Sequence, residues 1–311
     1  PEERLREVLA DPEGCLRVVT TALEHNAVMR PLRWYEKKRR IKVSVVSGRS
    51  ADGVPTGDEI IERVTRAPTS LVVMNHACNV TGAALPVAEV ARAVSPVPVL
   101  VDAAQTVGSL PIDFAEMGVA ALAASGHKGL LGPPGIGVLL LAPWFDIEPL
   151  VRGGTGSRSE SEEMPEHLPD RLEAGTMNTV GAAGLGAACA WIRKRTVEAI
   201  HDHGRQLLLR LVSGLREVPG VLLHGWESDT PRVNILSFTM RSKDTGELAA
   251  WLDQKHGIMV RAGLHCAPAA HQRLETYPSG TVRVGIGPFN TEADIDGLIA
   301  AVSDAYENGI T

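Results

Sequence analysis

"VAALAASGHKGLLGPPGIGVLLLAP", residues 119–143, decides the fold class: two short apolar runs flank a turn crowded with glycine and proline, and that turn carries Lys128. Runs of this length, bounded by Gly and Pro, read as strands buried on both faces. Similar runs recur upstream at "LRVVTT" (16–21), "KVSVV" (42–46), "SLVVMN" (70–75) and "VPVLVD" (97–102). Between them, "TGDEIIERVTRA" (56–67) and "PVAEVARAV" (86–94) place apolar residues at helical spacing. Strands alternating with helices predict an α/β fold around a mostly parallel sheet.

Downstream the pattern changes. The Gly, Ser and Glu-rich stretch "RGGTGSRSESEEMPEH" (152–167) reads as a long loop, followed by helices over about 181–195 and 196–217. Strand patterns then return at "RVNILSFTM" (232–240), "HGIMVRAG" (256–263) and "GTVRVGIG" (280–287). Helices over about 245–255 and 291–307 accompany them, the last opened by a capping pattern from Thr291 to Asp294. The expected organisation is a large domain over 1–218 and a smaller α+β domain over 219–311.

Bulk properties narrow the function. The 311 residues are 44% hydrophobic and 22% charged, enough to bury a sizeable core. Lys and Arg total 31 against 37 Asp and Glu, a net charge of −6, which leaves no broad basic field for nucleic acid or anionic lipid. The apolar runs are too short to span a membrane, and "PEERLREVLADPEG" (1–14) is a charged helical pattern without a signal-peptide core, so the expected location is the cytoplasm. Cys15, Cys78, Cys189 and Cys266 are far apart without a C-x-x-C pair, which fits neither a disulfide framework nor a metal site. Any important cysteine acts alone.

The chemistry lies where the strands end. In open α/β sheets ligands bind outside the carboxyl ends of the strands. There "VVTTALEH" delivers His25, "VVMNHACN" Asn79, "VLVDAAQ" Asp102 and Gln105, and "LAASGHK" Ser125, His127 and Lys128. Singly, a strand-end Asp is a helix cap, such a His is structural and a Lys is solvated. Together they describe a ligand. A lysine in a water-poor pocket loses its proton and forms a Schiff base with a carbonyl, and pyridoxal 5'-phosphate calls for such a lysine together with a carboxylate on its ring nitrogen. Asp102 is the candidate carboxylate and His25 the candidate ring-face neighbour. Gln105 and Asn79 are placed for the phenolic oxygen, Ser125 and His127 for the phosphate.

"EHNAVMRPL", "HACNVTGAALP", "VDAAQTVGSLPIDF", "SGHKGLLGPPGIG", "RLEAGTMNT", "RAGLHCAP" and "TVRVGIGPFNTEADID", in this order from about residue 16 to the C-terminus, resemble the class V aminotransferase fold. Within it they resemble the cysteine desulfurase and selenocysteine lyase group. The resemblance implies the fold type I pyridoxal-phosphate transferase architecture, with a seven-stranded type of sheet and a homodimer whose active site lies at the subunit interface. It implies Lys128 as the cofactor's covalent lysine, Asp102 on the pyridine nitrogen and His25 stacked on the ring. Thr176, in "EAGT", would reach the phosphate bound by the neighbouring subunit. Cys266 matches the nucleophilic cysteine that takes up sulfur as a persulfide while L-cysteine becomes L-alanine, and its Arg-x-Gly-x-His-Cys setting resembles the second, SufS-like group. Arg283 resembles the arginine that clamps the substrate carboxylate, with Arg261 assisting. A sulfur-acceptor protein is the implied partner.

One departure accompanies the match. Family members carry, several tens of residues earlier, a Gly-Thr-Thr-like turn that cradles the phosphate at a helix N-terminus. Nothing before "EGCLRVVTT" (13–21) matches it, and the family's N-terminal segment is expected to be missing from this sequence. Two other readings stand beside desulfurase: a class V aminotransferase, lyase or epimerase of another amino acid, with Cys266 incidental, and a catalytically silent dimeric scaffold.

Overall fold

Val, Ile and Leu runs set between Gly, Pro and Asn punctuation form the strands of a computed structural model that describes residues 16–226, 230–307 and 309. Cys15 and the helical pattern over 1–14 lie outside the described residues. The first part of the chain builds β1 (Leu16–Thr21), α1 (Asn26–Lys37), β2 (Ile41–Val46), α2 (Gly57–Thr65), β3 (Leu71–Asn75), α3 (Val87–Val94), β4 (Val99–Asp102), α4 (Phe114–Met117), β5 (Ala121–Ser125) and β6 (Gly137–Leu141). Their sheet has the order β2-β1-β3-β4-β5-β6. All pairings are parallel except that of β5 with β6. The expected seven-stranded type of sheet thus shows six strands among the described residues. Its core gathers Val19, Met74 and Val101 from the strands with Ile60 and Val90 from the covering helices, which is why the strands read as continuous apolar runs.

The remainder builds α5 (Thr179–Arg195), α6 (Val197–Glu217), β7 (Val221–His224), β8 (Ile235–Met240), α7 (Thr245–His256), β9 (Arg261–Gly263), α8 (Pro268–Arg273), β10 (Thr281–Gly285) and α9 (Glu292–Glu307). The second sheet runs β7-β8-β10-β9, antiparallel throughout. Phe238 and Leu236 pack there against Leu211, Leu248 and Val302 of α6, α7 and α9. Thr291 and Asp294 exchange hydrogen bonds at the start of α9, the capping pattern the sequence carries. The "HGIMVRAG" strand is much shorter than its apolar pattern suggests. Gly257 ends α7 in a left-handed conformation (φ 65°), Ile258 N–H still bonds the Leu252 carbonyl, and pairing starts only at Arg261.

The two sheets are joined through the loop after β3. Ser237 donates to the Val80 carbonyl at 2.6 Å and Val233 N–H to that of Gly82 at 2.9 Å. Glycine is required at position 82: its φ is +76°, and a Cβ would lie 2.9 Å from the Ile235 carbonyl oxygen.

Candidate functional site

β1 feeds β2 on one side while β3, β4 and β5 continue on the other, so the direction of travel reverses between β1 and β3. A crevice opens at such a reversal, outside the carboxyl ends of the strands. His25 follows β1 there. It caps α1, its Nδ1 accepting the Ala27 N–H at 3.0 Å, which leaves Nε2 as the uncommitted ring nitrogen. Asp102 is the last residue of β4, in register with Asn75 of β3. One carboxylate oxygen, Oδ1, accepts the Ala104 N–H at 3.0 Å.

Lys128 sits in the turn after β5, half-buried. Leu131 N–H bonds its carbonyl at 2.8 Å, and Gly126 N–H bonds that of Ile136, closing the Gly and Pro-rich turn. Gly108 (φ +83°) lets the β4–α4 loop meet this turn: a side chain there would collide with the Gly129 carbonyl. Gln105, on the same loop, therefore lines one cleft with Lys128, Arg261 and Arg283. The cleft has a volume of about 450 Å³ and an apolar flank that includes Met259 and Ile286. A larger hollow, about 610 Å³, under residues 152–165 touches none of these groups, so the smaller cleft is the candidate on chemical grounds.

The charges in this region act on one another. Burial lowers the Lys128 pKa, Asp102 opposes that shift and Arg283 adds to it. Burial and the charge of Lys128 likewise lower that of His25. Arg283 is driven down by burial and by Arg261, its register partner across β9 and β10. A desolvated lysine close to a carboxylate and to further cations has a larger share of its reactive neutral amine than a solvated one.

Cys266 reaches this group by a route the sequence does not display. Its backbone carbonyl accepts the N–H of Asn26 at 2.7 Å, next to His25. The preceding carbonyl, of His265, accepts Asn79 Nδ2–H at 2.7 Å, while the Asn79 carbonyl accepts Arg283 Nη1–H at 2.9 Å. His265 is buried, and its Nε2–H donates to the Thr281 carbonyl at 3.1 Å. Burial and the Arg283 charge lower its pKa to about 4, so it is a neutral imidazole at physiological pH. The Cys266 side chain itself is exposed.

The structure thus brings together His25, Asn79, Asp102, Gln105, Lys128, Arg283 and the Cys266 turn. Asn79 commits one amide hydrogen to the His265 carbonyl, while its Oδ1 is buried and unpartnered. Ser125 and His127 flank the lysine, the first half-buried and the second exposed. Thr176 lies exposed on the loop before α5, and Arg261 is exposed at the rim. Cys189 packs against the apolar cluster of Leu185 and Ile192, as a small hydrophobe would. Two residues that hold the site's framework together carry no signal in the sequence: Asn26, which acts through its backbone, and the buried Glu24 before His25.

The family model for Aminotransferase class-V matches residues 10–298, from before β1 into α9. A probable cysteine desulfurase of Methanothermobacter thermautotrophicus is 33% identical over 89% of this chain and 70% of its own length. Probable cysteine desulfurase 2 of Mycobacterium leprae is 36% identical over 93% of this chain and 69% of its own length. Among solved structures, the apo cysteine desulfurase of Thermococcus onnurineus superposes with a TM-score of 0.86 at 28% identity, covering 94% of this chain and 73% of its own. The Escherichia coli cysteine desulfurase CsdA (S-sulfonic acid) gives 0.85 at 25% identity, covering 98% and 82%. Since one family model runs through every strand end that contributes to the crevice, and the relatives share the fold across nearly all of this chain, the chain belongs to the class-V aminotransferase family.

Proposed function

We propose that the protein is a pyridoxal-phosphate-dependent cysteine desulfurase, converting L-cysteine to L-alanine while Cys266 takes up the sulfur as a persulfide, with selenocysteine as a second substrate. The observation that carries this reading is the hydrogen bond from Asn26 N–H to the Cys266 carbonyl, which ties a cysteine-bearing turn to the residue beside His25. The relatives named for this activity support it.

The residues fit the cofactor. A desolvated lysine, a strand-end carboxylate with one oxygen uncommitted among the described residues, and Gln105 beside Lys128 in the cleft form a set of groups suited to an aromatic aldehyde with a basic ring nitrogen. When bound, pyridoxal 5'-phosphate supplies a carbonyl for amines and an electron-withdrawing ring that weakens bonds at the substrate α-carbon. In this proposal Lys128 Nζ would hold the group and, once released, would move the proton at the substrate α-carbon. With the group bound, Asp102 would hold the proton on the ring nitrogen, His25 would cover the ring face, Gln105 and Asn79 would border the phenolic oxygen, and Ser125 and His127 would donate to the phosphate. Arg283, its guanidinium steadied by the Asn79 carbonyl, has N–H groups left for the substrate carboxylate, with Arg261 assisting at the rim. Cys266 Sγ, as thiolate, receives the sulfur and is exposed for handing it to an acceptor protein.

The proposal extends to organisation: a cofactor-binding part over 1–218, a smaller part over 219–311 carrying the cysteine turn, and a second copy of the chain whose phosphate Thr176 reaches. Asp102→Asn tests the centre of it. The amide is neutral, so the proton on the ring nitrogen loses its partner. Alanine formation from L-cysteine is expected to fall roughly 10²–10³-fold, the size of losing one preorganised electrostatic contact. The wild type should release alanine and carry one additional sulfur on Cys266 by mass spectrometry. If it consumes other amino acids but makes no alanine from cysteine, another class V activity replaces this reading.

A further inference from the structure

Glu24 is an acid the reaction does not call for, yet it stands at the centre of the strand ends. It is wholly buried between Leu23 and His25. Its Oε1 accepts the Thr21 hydroxyl at 2.6 Å and the Asn75 backbone N–H at 3.0 Å, bridging the ends of β1 and β3. Its Oε2 is buried with no partner. Asn75, which donates its Nδ2–H to the Leu23 carbonyl at 2.6 Å, has its own Oδ1 buried and unpartnered as well. Among the described residues no basic side chain bonds the Glu24 carboxyl. The titratable groups around it are Asp102 on β4, in register with Asn75, and Cys78 after β3. Beyond them stand His25 and Lys128, which feel Asp102.

An ionised Glu24 would leave Oε2 bare in a dry site without a cation, beside the carboxylate of Asp102, because the Thr21 and Asn75 donors are both spent on Oε1. As a neutral acid its Oε2 is a donor, which is what a neighbourhood with an unpartnered amide oxygen lacks. We propose that Glu24 is a positioning residue held as the carboxylic acid, tying the ends of β1 and β3 together without placing a second negative charge beside Asp102. Resting on the proposed function, this makes Asp102 the single anion offered to the ring nitrogen, in the manner of two carboxyls whose environments drive their protonation apart. Burial supports it by raising the Glu24 pKa to about 8 against the opposing hydrogen bonds from Thr21 and Asn75, with Asp102 adding to the shift.

The sign of the pH effect follows. The unfolded chain releases this proton near the ordinary value of 4.5, and the folded protein holds it until about 8, so the group's contribution to stability is full below 4.5 and is lost as pH rises towards 8. Glu24→Gln keeps an acceptor and a donor with nothing to titrate. In thermal melts of the protein without cofactor, the variant should match wild type at pH 5 and melt several degrees higher at pH 8. Glu24→Ala should melt lower than wild type at both. With cofactor bound, the Gln variant should keep most of its turnover and lose the alkaline limb of the pH profile that belongs to Glu24. A Gln variant that melts below wild type at pH 8 by more than at pH 5, or by equal amounts at both, overturns the neutral acid. Melts need neither cofactor nor substrate, so a wrong activity would silence the turnover assay while the melting comparison still decides the protonation of Glu24.

Discussion

Lys128→Ala is expected to lose all borohydride-fixed cofactor and to bring alanine formation down by roughly 10²–10⁴-fold or more, since in the proposed function one residue both holds the group and moves a proton. The expectation comes from where the ammonium stands. Burial disfavours its charge, Arg283 repels it, and only Asp102 works to keep it charged. Those opposing influences suit an amine that must be neutral to attack a carbonyl and charged to return a proton. Lys128→Arg separates shape from chemistry, because a guanidinium keeps a cation near Asp102 but cannot deprotonate in a protein. It should behave like the alanine variant in the trapping experiment. The turn itself should survive either change, since its closing bonds use the backbone of Gly126, Lys128 and Leu131. Mass mapping of borohydride-treated protein checks this: a cofactor adduct on a different lysine in Lys128→Ala would remove Lys128 from the role.

Much of this is legible in the sequence because the strands concerned are buried on both faces. β3, β4 and β5 read as unbroken apolar runs and β1 as one interrupted only by Arg17, and each hands over its polar residue at the same edge. Lys128 and Asp102 can be found from local sequence alone, as Asp102 ends its own strand and Lys128 lies in the short turn after one. α1 is less legible. It buries only Val28 and Leu32 and contains Pro31 among the basic residues Arg30, Arg33 and Lys37, so its apolar stripe is thin. β7 is four residues long and follows a helix through Pro219 and Gly220, too short to show a period. The site's assembly is hidden for another reason: Asn79 meets His265 across 186 residues, and Asn26 meets Cys266 across a longer span, through a backbone N–H. A backbone contact leaves no signature in residue type. Glu24 shows the same limit, since an acid inside "ALEHNAV" reads as solvated until the packing of β1 on β3 removes the water.

Cys266→Ala is expected to abolish sulfur transfer from L-cysteine, by roughly 10²-fold or more, while the cofactor's visible absorbance is unchanged. The selectivity rests on how the turn is held. His265 and Cys266 both adopt left-handed backbone angles, φ 49° and 58°, which side chains disfavour by about 1–3 kcal/mol each when a fold imposes them. The conformation persists because three contacts fix it: Asn79 Nδ2–H on the His265 carbonyl, Asn26 N–H on the Cys266 carbonyl, and His265 Nε2–H on the Thr281 carbonyl. None of these uses Sγ, so alanine keeps the turn and removes only the thiol. Cysteine's sulfur must pass to a thiolate, whereas selenide is able to leave unaided, so the variant should retain much of any selenocysteine activity. Paired assays of sulfide, selenide and alanine release on wild type and variant give the result. Equal loss with both substrates would mean the residue supports the turn and does not receive sulfur. Desulfuration of cysteine at the wild-type rate would end the persulfide reading and leave a class V enzyme with an incidental, exposed thiol.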